Sequence, residues 1–182
     1  MDNVWFTSDT HFGHVNIIKY CDRPFESIEL MNETIVSNWN AIVRPGDRVY
    51  HLGDVCFMQP YEAGKLLSRL NGQIYLVKGN DDKERFLSSC SKRFVWVKDY
   101  FELSVGKQKI VLSHFPFLAW NKSHHGSWSL HGHCHGNLPD DPYALRIDVG
   151  VDCHGFKPVP FDQITELMAL KTFKPVDHHG AD

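Results

Sequence analysis

The sequence has no CxxC pair, no basic excess and no long apolar run, and each absence closes a class of explanation. Its five cysteines are odd in number and scattered. That pattern fits reduced thiols in a cytoplasmic protein and argues against a disulfide scaffold or a zinc ribbon. Net charge is −3, whereas a general nucleic-acid or anionic-membrane binder carries a basic excess. No apolar stretch approaches the length of a membrane span. The opening segment MDNVWFTSDTHFGH lacks a basic region followed by an apolar core, so no secretory leader is expected. Internal repeats, linkers and low-complexity segments are also absent.

What is present is enough for one domain. A chain of 182 residues buries roughly two thirds of its unfolded surface when it folds as a unit. The domain is expected over residues 1–171. Residues 172–182 have little to bury and are expected to fray, leaving His178 and His179 exposed and idle.

Short β-branched and aromatic runs predict strands at Val4–Ser8, Arg48–Leu52, Gln73–Lys78, Phe94–Lys98, Tyr100–Val105, Lys109–Ser113, Ser127–His131 and Leu145–Val149. Helical spacing fits Val15–Tyr20, Ser27–Ile42, Pro60–Leu70, Lys83–Ser89 and Phe161–Leu170. Within the second of these, Leu30, Ile35, Asn38, Trp39 and Ile42 form an imperfect apolar face. Strand and helix alternate in the first half, which implies parallel strands with helical crossovers. The middle reads as a strand-rich meander, so the class is a mixed α/β layered domain.

Histidine is the compositional outlier, at twelve residues, and most occur in groups. Asp9 and His11 follow the first predicted strand, Asp54 the second and Asn80 the third; His114 follows a later strand, and His133 and His135 another. In open α/β sheets the carboxyl edge of the strands is where ligands bind. Taken alone, Gly79-Asn80 is an ordinary turn. Five such clusters of Asp, Asn and His, with almost no Lys or Glu among them, are not turn chemistry. Seven residues are too many for one tetrahedral zinc site and suit two ions sharing one carboxylate. Imidazole, carboxylate and amide donors favour manganese, iron, cobalt, nickel or zinc over an all-oxygen magnesium site. A pair of such ions activates water and clamps the attacking and leaving oxygens of a displacement at phosphorus.

The blocks DTH at 9–11, GD at 53–54, GN at 79–80, SH at 113–114 and GHCH at 132–135 resemble the ordered signature of the calcineurin-like metallophosphoesterases. The longer strings DTHFGH, DRPF, YHLGD and WNKSHHGSW resemble its compact, stand-alone bacterial and phage-type members. The resemblance implies a four-layer fold, two mixed sheets in a sandwich flanked by helices. It places Asp9, His11 and His135 on one ion and Asn80, His114 and His133 on the other, with Asp54 bridging. It implies a phosphate-ester or nucleotide substrate. The rival reading is a non-catalytic interaction module on the same fold, and intact ligands in every block argue against it.

One position departs from the pattern. Most of the family carries a His after the Asn ligand, able to protonate the leaving group; here the residue is Asp81. That substitution favours diesters over monoesters. His14, just after Gly13, is a candidate for contact with phosphate or water. Arg23 in CDRPF serves either as a phosphate clamp or in a surface salt bridge. Trp120, His124 and His125 lie between the last two blocks and are candidates for the substrate pocket. His51 and His131 read as structural, and Cys134 as a small filler.

Overall fold

The computed structural model describes residues 3–174 and residue 176. Val4–Thr7 (β1) is buried at every residue and lies inside a five-stranded sheet. Its partners are Arg48–His51 (β2), Gln73–Val77 (β3), Phe94–Lys98 (β4) and Val159–Pro160 (β9), in the order β4-β3-β2-β1-β9. β1 to β4 are parallel, and β9 returns antiparallel to β1. A second sheet holds Phe101–Val105 (β5), Gln108–Leu112 (β6), Trp128–His131 (β7) and Arg146–Asp148 (β8), in that order. β5 and β6 form a hairpin, while β6, β7 and β8 are parallel.

The helices are Ile17–Tyr20 (α1), Ile28–Ile42 (α2), Pro60–Leu67 (α3), Glu84–Cys90 (α4) and Phe161–Ala169 (α5). Side-chain alternation along the first sheet feeds two cores, as a strand buried on both faces must. Trp5, Val49, Ile74 and Leu76 meet Met31, Ile35 and Trp39 of α2, Leu66 and Leu67 of α3 and Phe86 of α4. Phe6, Tyr50, Leu52 and Val77 face Leu103, Ile110, Leu112 and Leu130 of the second sheet, with Ile164 and Met168 of α5. The architecture is two mixed sheets flanked by helices.

Three expectations need correction, and one strand is new. The middle of the chain is not a meander: β4 joins the first sheet, and β6 to β8 run parallel through loop crossovers. β9 escapes sequence reading because two residues, one of them Pro160, carry no strand periodicity. The buried stripe of α2 is Met31, Ile35 and Trp39, with Asn32 and Val36 beside it; Leu30 points outward. The chain after residue 171 is pinned where it is described. Thr172 and Lys174 donate backbone hydrogen bonds to the carbonyls of Pro142 and Tyr143. His178 and His179 lie outside the described residues.

Candidate metal centre

Where β1 and β2 end, their loops stay side by side. Asp9 N donates to Gly53 O, His11 N to Asp54 O and Phe12 N to Val55 O, each at 3.0 Å. The loop after β8 joins them, with Val151 N donating to Ser8 O at 3.0 Å. The carboxyl edges of both sheets therefore converge on one place. Five of the seven residues read from the sequence as ligands hold left-handed backbones there: Asp9, His11, Asp54, His133 and His135, with φ of 57°, 49°, 56°, 68° and 49°. Non-glycine residues in this region carry strain that surrounding structure must hold, and such strain concentrates at functional sites.

The side chains gather in two groups: Asp9 with His11 and His135, and Asp54 with His114 and His133. Asp54 Oδ2 faces both. It lies 3.7 Å from His11 Nε2 and 3.5 Å from His114 Nε2. Asp9 Oδ1 is 3.9 Å from the Nε2 atoms of both His11 and His135. Asn80 Oδ1 sits 2.9 Å from His114 Nε2, which puts the amide in the second group. On the far side of its ring, His114 Nδ1 is 2.7 Å from Leu52 O, a contact that fixes Nδ1 as the donor and turns the Nε2 lone pair inward.

The donor set fits divalent cations. Asp9 Oδ1 and His11 Nε2 are buried without a hydrogen-bond partner, an expensive arrangement unless a cation completes it. Burial pushes the Asp9 carboxyl up to about 8, against the charge of His135 and the hydroxyl of Ser8. Burial also holds the His11 imidazole down to about 2, helped by the neighbouring His135 and Arg23 charges. A buried acid that cannot keep its charge, beside a histidine that stays neutral, is what a dication stabilises.

Close approach explains the glycines of the motifs. A Cβ at Gly79 would run into Asp54 Oδ1 and its backbone nitrogen, and one at Gly132 into Ser8 Oγ and Asp9 Oδ2. The loops are drawn together by Asp82, a residue the sequence reading passed over. Its buried carboxylate accepts from Asp54 N at 2.9 Å, Val55 N at 2.9 Å and Gly79 N at 2.8 Å.

A family model for the calcineurin-like phosphoesterases matches residues 3–171. The chain belongs to this family. An uncharacterised protein of Methanocaldococcus jannaschii is 38% identical over 177 residues, 92% of each chain. The gene 66 protein of Mycobacterium phage D29 is 29% identical over 198 residues, 92% of this chain and 96% of its own. The crystal structure of a protein of unknown function from Aquifex aeolicus matches with a TM-score of 0.72 at 25% identity, over 92% of this chain and 100% of that one. These matches run nearly end to end along both partners. Membership of the calcineurin-like phosphoesterases implies divalent ions, for which the two ligand groups are in place, and supports hydrolysis of phosphoester bonds.

Around the centre, sequence expectations fare unevenly. Asp81 sits at the mouth, half-buried, its N–H donating to Asp54 Oδ1 at 2.8 Å. His14 is half-buried, with Nδ1 3.3 Å from His11 Nδ1 and its ring stacked on Phe57 at 4.0 Å. Burial lowers its pKa, outweighing the Asp81 charge that would raise it. Arg23 is neither a phosphate clamp nor a surface pair. It is 4% exposed, and its guanidinium is occupied by Asp152 and the carbonyls of Asp9 and Thr10.

Trp120, His124 and His125 do not line the centre. β6 and β7 are parallel, so the chain between them must travel the length of the sheet, from its carboxyl edge back to its amino edge. Gly126 O accepts from Gln108 Nε2 at the amino end of β6. Trp120 is buried in the inter-sheet core and donates to Ser127 O. Only the start of that segment stays at the centre. Phe115 is half exposed and packs against His133 with centroids 4.5 Å apart, a contact the sequence reading missed.

Proposed function

We propose that this chain is a dinuclear metal-dependent phosphodiesterase. The observation that carries the dinuclear reading is Asp54 Oδ2, a single oxygen 3.5–3.7 Å from histidine nitrogens of both ligand groups. Asp9, His11 and His135 would hold one ion, Asn80, His114 and His133 the other, and Asp54 both. Such ions, manganese first among the expectations, supply an activated water and neutralise charge that develops on the phosphoryl oxygens.

The chain's own residues set what enters. Phe57 and Phe115 flank the two ligand groups with exposed aromatic surface. Next to Asp81 a cavity of about 180 Å³ runs along Phe57, Met58, Lys83, Arg85 and Phe86. A leaving group with a flat ring and an anionic substituent fits this chemistry, which favours nucleotides and related small phosphate esters over long nucleic acids. Asp81 sits where the leaving group departs. Its carboxylate repels a dianionic monoester more than a monoanionic diester and brings no proton to an alkoxide. Lys83 Nζ, 3.4 Å from Asp81 Oδ1 and largely exposed, screens part of that charge. The five unpaired cysteines support a cytoplasmic setting. Among the described residues no helix is long and apolar enough to cross a membrane.

The test is a comparison of chromogenic diester, 2′,3′-cyclic nucleotide and alkyl monoester hydrolysis at saturating manganese, across pH. The diester and the cyclic nucleotide should turn over faster near pH 7–8, and Asp81→His should shift the ratio toward monoesters. Loss of a positioned general acid typically costs about 10²–10⁴-fold, so the shift should be of tenfold or more. A wild type that prefers alkyl monoesters, or a ratio unmoved by Asp81→His, overturns the diester reading.

A further inference from the structure

Arg23 is a buried charge that the proposed reaction does not use. Its Nε and Nη2 donate to the two oxygens of Asp152 at 2.7 and 2.8 Å. Nη2 also donates to Asp9 O at 2.7 Å, and Nη1 to Thr10 O at 3.2 Å. Asp152 Oδ2 lies 2.7 Å from His135 Nδ1. One guanidinium thus links the left-handed backbone of the first ligand loop to a histidine from the last.

Two consequences follow. An imidazole that donates from Nδ1 to a carboxylate presents its Nε2 lone pair to a metal, with tautomer and ring orientation both fixed. His135 Nε2 is the atom that faces Asp9 Oδ1. Asp152 is also a hazard. With Cys21 and His135 it forms another cluster of donor atoms, all within 4.8 Å of one another. Left as a free carboxylate beside a thiol and an imidazole, it would be a soft cation site competing for His135. The bidentate Arg23 pair takes up both oxygens and fills the neighbourhood with positive charge. A buried ion pair is weak evidence for stability as such, and here the pairing has a chemical purpose.

We propose that Arg23 is a positioning residue. Through Asp152 it aims His135 at the ion held with Asp9 and His11, and by occupying Asp152 it closes the competing Cys21–His135–Asp152 site. The proposal rests on the two-ion reading.

Cobalt(II) titration under reducing conditions, read by calorimetry and by absorption, tests it without an activity assay. Wild type should take two equivalents and show no thiolate-to-cobalt charge-transfer band. Asp152→Asn, nearly isosteric, should weaken one of the two binding steps by about 10–100-fold and leave the other unchanged, again with no band. Arg23→Met should weaken the same step and add the charge-transfer band, which Cys21→Ser in the Arg23→Met background should remove. Arg23→Lys, with charge but no fork, should restore the blank spectrum and only part of the affinity. Two wild-type-like steps in Asp152→Asn overturn the positioning role even if Arg23→Met does not fold. A folded Arg23→Met with no band overturns the closing role. A wild type that takes one equivalent overturns the two-ion reading itself.

Discussion

Asp47 sits at the start of β2, far from the ligand loops, and shows what a buried carboxylate does when its partners are backbone and indole. Oδ1 accepts from Asn3 N at 3.0 Å; Oδ2 accepts from Trp5 Nε1 and Arg44 N, each at 2.9 Å. Burial alone would raise its pKa, but these donors outweigh burial and hold it below the usual carboxylate range. A depressed folded pKa means that the ionised form stabilises the fold. That stabilisation is complete above the unfolded value of about 3.9 and is lost as pH falls through the folded value. Asp47→Ala, which orphans three donors, should cost about 1–3 kcal/mol at pH 7. The gap to wild type should narrow below about pH 4. Urea denaturation of both proteins in chelator, at pH 7 and at pH 3, reads this directly. A gap that stays constant or widens on acidification removes the role given to the ionised form.

At the scale of elements, the ligand loops show what sequence can and cannot disclose. Asp9, Asp54, Asn80, His114 and His133 were legible because each interrupts an apolar strand with a polar residue just beyond its carboxyl end. The parallel order of β1 to β3 was legible from the intervening helices. Asp81 and Asp82 were not separable, since adjacency says nothing about which carboxylate faces water and which passes beneath a neighbouring loop. The structure separates them: Asp82 is 5% exposed and holds three backbone donors of two loops, while Asp81 faces the mouth. The position of Trp120 to His125 was hidden as well, because it depends on β7 running parallel to β6. Asp82→Ala should therefore destabilise the protein by on the order of 3 kcal/mol, since it leaves buried N–H groups unsatisfied. Asp81→Ala should stay within about 0.5 kcal/mol, as surface changes do. Denaturation in chelator keeps metal binding out of the comparison. Equal costs for the two aspartates would remove Asp82 as the staple between the Gly53-Asp54 and Gly79-Asn80 loops.

For the whole molecule, the two sheets meet at the same edge where the two ligand groups meet. Asp9, His11, Asp54 and Asn80 come from loops of the first sheet, and His114, His133 and His135 from loops of the second. An ion bound with His135 and Asp9 therefore ties one sheet to the other, as does an ion bound with Asn80 and His114. The unfolded chain offers no such preformed site, so binding free energy appears as folding stability. At a free ion concentration of 100 Kd, one site adds about 2.7 kcal/mol. For a domain of this size each kcal/mol is worth about 2–4 °C in Tm, so manganese should raise Tm by about 5–11 °C per site over the chelated protein. Asp54→Ala should lose most of that rise, because the carboxylate facing both groups is gone and two close cations would repel each other without it. His125→Ala, at the opposite edge of the second sheet, should keep the rise in full. A melting temperature indifferent to manganese would show that the ligand groups do not hold ions in the folded protein. A full rise in Asp54→Ala would mean that the ions bind without the shared carboxylate, and the dinuclear arrangement would fail with it.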